Sequence, residues 1–335
     1  MDSLGVSVIV IAYNEEEKIA ECIRSILDVD YSPVEIIIVD ASTDRTPLVV
    51  GEIKDSRIRH SQTTDRGYSL QRNIGVNLAK FPLVAFTDAD CRVPRNWLSL
   101  LIPVISGSVV GAGGNAFPPS DTNGFGLWVA ALGFPGGGAL GADANMLSKE
   151  KFCPATCNAI FRKDAILNAG GFDESLVFGG EDTRLGKEIR RLSYDLKYVP
   201  NSFVIHCARS RFKDFFFWSI TRGRAKAQLA RNQFLHRAWN GVILISVSIL
   251  TVYGLFIAYH MPIEVFLIVV ISIVFGNFLL FNKTRKFKLA WVRRRSIGLS
   301  RKELLICVPT LFIVRRLLMA VGALLKPHVD LARKV

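Results

Sequence analysis

The chain has 335 residues, half of them hydrophobic, and a formal net charge of +13; it is long enough to bury a substantial core and still supply membrane segments. The charge is unevenly placed, with 20 basic and 25 acidic side chains in residues 1–205 against 22 and 4 in residues 206–335. In the second part long apolar runs interrupt the cations, a pattern that suits an anionic lipid surface and argues against nucleic acid as the partner.

Residues 6–12 are apolar except for Ser7, as expected of a buried strand. Tyr13-Asn14-Glu15-Glu16-Glu17 follows, and Ile19, Cys22, Ile23, Ile26 and Leu27 then recur at helical spacing, with Asn14 as candidate N-cap. A second strand at 34–39 runs into Asp40, and Thr43 or Asp44 is placed to cap the next helix. A weaker strand at 58–63 and a helix at 68–80, carrying Arg72, Asn73 and Gly75, lead to an apolar strand that ends in Thr87-Asp88-Ala89-Asp90. This alternation predicts an α/β protein with a doubly wound, mainly parallel sheet.

Two carboxylates separated by one residue at the carboxyl end of a buried strand can share Mg²⁺ or Mn²⁺, with phosphate oxygens completing the octahedron. Asp40 can accept hydrogen bonds from a base or ribose edge. No G-x-G-x-x-G follows the first strand, which argues against a nicotinamide or flavin enzyme. Neither Asp40 nor Asp88 stands in the D-x-D-x-T loop of a haloacid-dehalogenase-type phosphatase.

A strand at 109–114 enters a Pro- and Gly-rich stretch at 117–144. We expect a mobile loop there, either touching lipid through Phe125, Leu127, Trp128 and Phe134 or simply a variable surface. Order returns at 156–161, with a short helix closed by Gly170-Gly171. Gly179-Gly180-Glu181-Asp182 then opens a helix with Leu185, Ile189 and Leu192 on one face. A helix N-terminus favours the charged form of such acids, whereas burial and nearby phosphates oppose it. The six cysteines are scattered and read as reduced thiols of a cytosol-facing protein. Cys153 and Cys157 lack the second Cys or His pair that a zinc site needs.

Val8 through Glu15, Asp40 through Thr46, Arg72-Asn73-x-Gly75 and Asp88-Ala89-Asp90, in that order, resemble the motifs of family 2 glycosyltransferases with the GT-A fold. The resemblance covers roughly residues 6–233. It implies that Ala12, Tyr13, Asn14, Glu15 and Asp40 hold the nucleotide and that Arg72 contacts the donor. It also implies that Asp88 lies near the ribose or metal and that Asp90 binds the metal bridging the diphosphate. His206, after a short strand at 203–205, would contact metal or diphosphate, or else be a satisfied core histidine. The catalytic base would be in the Glu181-Asp182 pair, with Asp182 the better candidate, and Asn158 would stand at the acceptor side.

Between 209 and 239, Phe212, Phe215, Phe216, Phe217 and Trp218 interleave with Arg222, Arg224, Lys226, Arg231 and Arg237, which suits a helix in the membrane interface. Arg222 and Arg224, with Arg315 and Arg316, are candidates for the acceptor or lipid side. Processive polysaccharide synthases of the family carry Q-x-x-R-W; here Gln228-Leu229-Ala230-Arg231 is followed by Asn232, a departure that points to transfer of a single sugar. Residues 241–259 and 263–281 are of spanning length, and the basic loop at 283–302 is expected in the cytosol. Residues 304–325 either cross, with Arg315 and Arg316 facing protein or a lipid phosphate, or are re-entrant around Pro309.

The expected organisation is a cytosolic GT-A domain at 1–208, an interfacial segment at 209–239 and a membrane region at 240–335. The resemblance implies an integral membrane enzyme, facing the cytosol. It would move one sugar, with inversion, from a nucleotide diphosphate sugar to a polyprenyl- or dolichyl-linked saccharide. A polyprenyl phosphate or glycolipid acceptor is the runner-up, and a nucleotide-binding membrane scaffold is the non-catalytic rival.

Overall fold

Runs of β-branched residues build the centre of the molecule's sheet. In the computed structural model, which describes residues 4–133, 152–229, 290–291 and 297–324, β1 (Val6–Ala12), β2 (Val34–Asp40), β3 (Ile58–Gln62) and β4 (Leu83–Asp88) run parallel in the order β3-β2-β1-β4. β1, β2 and β4 are buried on both faces and largely apolar, whereas the edge strand β3 is polar and only partly buried. Val6, Val8 and Val10 pack with α1 (Ile19–Leu27), α2 (Thr46–Glu52) and α4 (Trp97–Leu101). Ile9, Ile37 and Val39 face the opposite way, towards α3 (Tyr68–Leu78), α6 (Lys163–Asn168) and α7 (Glu181–Arg191).

Beyond β4 the sheet becomes mixed. β7 (Ala159–Arg162) pairs antiparallel with β4 and with β6 (Val109–Phe117). β8 (Asp195–His206) runs parallel to β6 and closes on the two-residue β5 (Cys91–Arg92) in antiparallel register. β6 is longer than the expected 109–114 because β8 pairs with it as far as Phe117.

The described residues divide into two compact units, and residues 123–132, 209–229, 290–291 and 297–324 form the second. Here the expected loop is partly helical: α5 (Gly124–Ala131) starts at Asn123, whose side chain accepts the Gly126 amide at 2.9 Å. Phe125 packs edge-on against Phe212 and Phe215 of α8 (Phe212–Leu229), and Trp128 donates to Glu303 of α9 (Arg301–Leu324). These side chains are occupied by protein; Phe134 lies outside the described residues.

α8 buries Phe215, Trp218, Ser219 and Ala225, so it is one partner of a helix pair and not an isolated interfacial helix. Glycines set the approach: a Cβ at Gly223 would fall 2.0 Å from the Met319 carbonyl oxygen, and one at Gly322 would fall 2.0 Å from that of Ile220. α9 opens with a reciprocal cap, in which the Glu303 amide donates to Ser300 Oγ and the Ser300 amide to Glu303 Oε2. It continues through Pro309 without a break. Among the described residues it is the one helix long and apolar enough to cross a membrane. Arg315 faces protein, donating to the Leu132 carbonyl at 3.2 Å, while Arg316 is exposed beside Phe312. The two expected spans at 241–259 and 263–281 lie outside the described residues.

Asn158 is placed differently from its expected acceptor-side position. It is 1% exposed, and its amide accepts from Trp97 Nε1 at 2.8 Å and from Ser202 Oγ, and donates to the Asn115 carbonyl. Buried polar groups need such partners, so Asn158 ties β6, β7 and β8 to α4. Asn158→Ala leaves several buried groups unpaired, each costing about 1–3 kcal/mol. We expect a large drop in unfolding midpoint with unchanged divalent-cation affinity, measured by denaturant titration and calorimetry.

Candidate active site

Register brings the polar strand ends together. Ala12 lies opposite Asp40 and Ile11 opposite Asp88, so the carboxyl ends of β1, β2 and β4 form one edge. The loop after β1 is laced to the loop after β2. The Asn14 amide donates to Ser42 Oγ at 2.8 Å, Asn14 Oδ1 accepts the Thr43 amide, and the Glu15 amide donates to Thr46 Oγ1. Asn14 is therefore not the expected helix cap; it sits at φ +55° in the loop, and α1 begins only at Ile19. The N-cap of α2 is Arg45, not Thr43 or Asp44, although Asp44 Oδ1 accepts the Thr46 amide at 3.0 Å from one position further out.

Asp40 is enclosed. Its carboxylate accepts the Ser42 amide at 2.9 Å and lies 3.0 Å from His60 Nε2. Burial pushes its pKa up, but His60 and the Ser42 bonds outweigh this and hold it below the ordinary 3.8. Gln71 donates to the carbonyls of both Ala12 and Val39, fastening β1 to β2 beneath the edge. At the rim, the Arg66 guanidinium lies 4.3 Å from the Tyr13 ring centroid. His60, Arg66 and Gln71 were missed in the sequence; the only signal for Gln71 was its position beside Arg72.

The second cluster surrounds Asp88 and Asp90. Pairing of Cys91 with His206 delivers the imidazole to these acids, 3.6 Å from Asp88 Oδ2 through Nε2 and 3.5 Å from Asp90 Oδ2 through Nδ1. Ligand atoms of Asp88, Asp90, Cys91 and His206 all lie within 4.8 Å of one another. Burial and the Asp90 charge push the Cys91 thiol well above its ordinary value in the absence of a cation. Two carboxylates and an imidazole remain, an oxygen-rich set that fits a hard divalent cation. Glu15 adds to the negative field: burial first, then the charge of Asp90, push its pKa up against the pull of Lys18.

Arg72 joins this cluster to α7. Its guanidinium is 4% exposed, donating to Glu181 Oε1 at 2.7 Å and to Asp88 Oδ1 at 3.3 Å. Arg72 thus holds two acids. Burial raises the Asp88 pKa, but His206 and Arg72 together bring it below the ordinary value. α7 starts from Gly179 and Gly180, at φ +104° and +96°, conformations that side-chain-bearing residues avoid. The turn separates the acidic pair: Glu181 is buried on Arg72, whereas Asp182 stays half-exposed and accepts the Thr183 amide and hydroxyl.

The α/β sheet thus places an acid cluster that could hold a cation beside a polar strand edge. Residues 7–168 match the profile of Glycosyl transferase family 2. The chain is 27% identical over 219 residues to glycosyltransferase AglE of Haloferax volcanii, covering 61% of this chain and 67% of that one. It is 29% identical over 187 residues to the glucosyl-dolichyl phosphate glucuronosyltransferase of the same organism, covering 51% and 56%. Over 87 residues it is 39% identical to the UDP-Glc:alpha-D-GlcNAc-diphosphoundecaprenol beta-1,3-glucosyltransferase WfaP of Escherichia coli, covering 25% and 35%. The fold is shared with mannosyltransferase PcManGT from Pyrobaculum calidifontis, solved with GDP-Man and Mn²⁺, at a TM-score of 0.55 and 19% identity over 93% of this chain and 86% of that one. Residues 7–168 are a family 2 glycosyltransferase domain, and the sheet has the GT-A fold.

Two outcomes follow from the buried charges. Arg72→Met strands Glu181 without its partner and should cost about 3–5 kcal/mol, while Arg72→Met/Glu181→Met should recover part of it in a double-mutant cycle by chemical unfolding. Asp40 and Asp88, both held below 3.8, bind protons less readily folded than unfolded. Their stabilisation is complete above the ordinary carboxylate range and is lost as pH falls through their lowered values. Melting midpoints followed from neutral pH downward should therefore fall in that range, and less steeply for Asp40→Asn.

Proposed function

We propose that this glycosyltransferase moves a single sugar from a nucleoside diphosphate sugar to a hydroxyl of a lipid-linked saccharide at the cytosolic membrane face. The observation that carries the reading is the continuous chain Asp88–Arg72–Glu181, which couples a cation cluster to the helix start where Asp182 is half-exposed. Asp88, Asp90 and His206 would hold Mg²⁺ or Mn²⁺. When bound, such an ion supplies charge neutralisation for the departing diphosphate. The Tyr13–Arg66 stack and the laced loops offer a flat rim and a rigid polar edge for the nucleotide.

In the transfer, the acceptor oxygen attacks the anomeric carbon as the bond to the diphosphate breaks, and the hydroxyl proton passes to Asp182, so the product is inverted. Support for a lipid-borne acceptor comes from the names of two relatives, which specify glucosyl-dolichyl phosphate and diphosphoundecaprenol. The apolar α9 and the basic second part of the chain favour a membrane location.

Asp90→Ala should abolish cation-dependent binding of the donor in calorimetry; unchanged affinity with and without chelator would remove the metal assignment. Asp182→Asn keeps the shape but cannot take the proton. It should lower single-turnover transfer about 10²–10⁴-fold while donor affinity stays nearly intact. Near-normal turnover would instead favour a polyprenyl phosphate acceptor, which is already ionised and needs no base.

A further inference from the structure

The second unit concentrates cations that sugar transfer does not use. Because Gly223 and Gly322 let α8 and α9 approach at backbone distance, arginines from both helices meet around Trp218. The guanidinium of Arg315 lies 4.5 Å from its ring centroid and that of Arg222 lies 5.8 Å away. Burial, followed by the charges of Arg315, Arg316 and Arg222, pushes the nearby Lys226 ammonium down to about 8, a sign of like charges crowded together.

The helices packed here offer these arginines little negative charge. The only carboxylates on α5, α8 and α9 are Asp214 and Glu303, each in the first turn of its helix. Asp214 pairs with Arg211, and Glu303 accepts from Trp128 and Ser300. Two further groups point to a ligand. Arg315 Nε and the hydroxyl of the fully buried Ser219 are shielded from solvent and have no hydrogen-bond partner among the described residues. A shielded donor with nothing to bind is costly, and forked guanidinium donors match phosphate oxygens in geometry and charge.

We propose that Arg222, Arg315 and Arg316 form a binding site for a phosphate or diphosphate group carried on a lipid. The guanidiniums of Arg222 and Arg315 both lie over the Trp218 ring. The site deepens the lipid-acceptor reading and rests on it for the nature of the lipid alone.

The test uses the full chain in detergent micelles, with chelator and without donor, so that its failure leaves the transfer reading standing. Farnesyl diphosphate, farnesol and inorganic pyrophosphate are the probes. Farnesyl diphosphate should bind with an affinity that falls as salt rises, and at least about tenfold more tightly than farnesol. Weaker binding of pyrophosphate identifies the ligand as lipid-borne; equal binding keeps the phosphate site and identifies a soluble phosphate as its ligand. Arg222→Gln/Arg316→Gln, which leaves the Arg315–Trp218 stack in place, should weaken farnesyl diphosphate about tenfold or more, whereas Arg222→Lys/Arg316→Lys should retain part of the affinity. Unchanged affinity in Arg222→Gln/Arg316→Gln at an unchanged melting midpoint, or equal binding of farnesol and farnesyl diphosphate, overturns the proposal.

Discussion

A single buried guanidinium holds the catalytic region together. Arg72 sits on α3, beneath the strand edge, and reaches one acid at the end of β4 and another at the start of α7. At 4% exposure its charge has lost most of its water, and only two carboxylates at close range make that tolerable. The consequence is geometric: the helix carrying Asp182 is tied to the strand carrying Asp88, so the acid cluster and Asp182 are held by one interaction. Glu181 is consumed by that tie, which gives two adjacent acids different roles.

The same economy governs the nucleotide edge. Loop amides after β1 and β2 are satisfied by Ser42, Thr46 and Asn14 side chains, and Asp40 is closed off by His60 and Ser42. Preorganisation of this kind removes the ordering cost of a polar rim at the moment of binding. The negative field left by Asp88, Asp90 and Glu15 is what a divalent cation with a diphosphate would neutralise.

The second unit obeys different physics. Its helices approach through Gly223 and Gly322, as helices do where small residues let backbones come close. Arg315 is accommodated at the middle of an apolar helix because Trp218 presents a π-face and Leu132 a carbonyl. α9 is uninterrupted at Pro309, since a helix can absorb a proline where neighbouring groups satisfy the freed backbone.

Much of this was legible before any coordinates. The apolar runs at 6–12, 34–39 and 83–86 specified buried parallel strands, because a strand covered on both faces has no solvent side to mark with polar residues. Asp88-Ala89-Asp90 marked by its spacing the strand end where the acid cluster forms, and the Gly179-Gly180 pair marked the start of α7. What the sequence could not decide were partners distant along the chain. Arg72 finds Glu181 across 109 residues, and His206 meets Asp90 only because a two-residue strand at Cys91 pairs with β8. Asn158 has the composition of a surface residue and becomes a core one because Trp97, Asn115 and Ser202 converge on it. Local pattern determines which elements form and which face they bury. Tertiary pairing alone decides which polar side chains end up sharing a dry site, because that choice depends on desolvation and partner geometry that no short window of sequence contains.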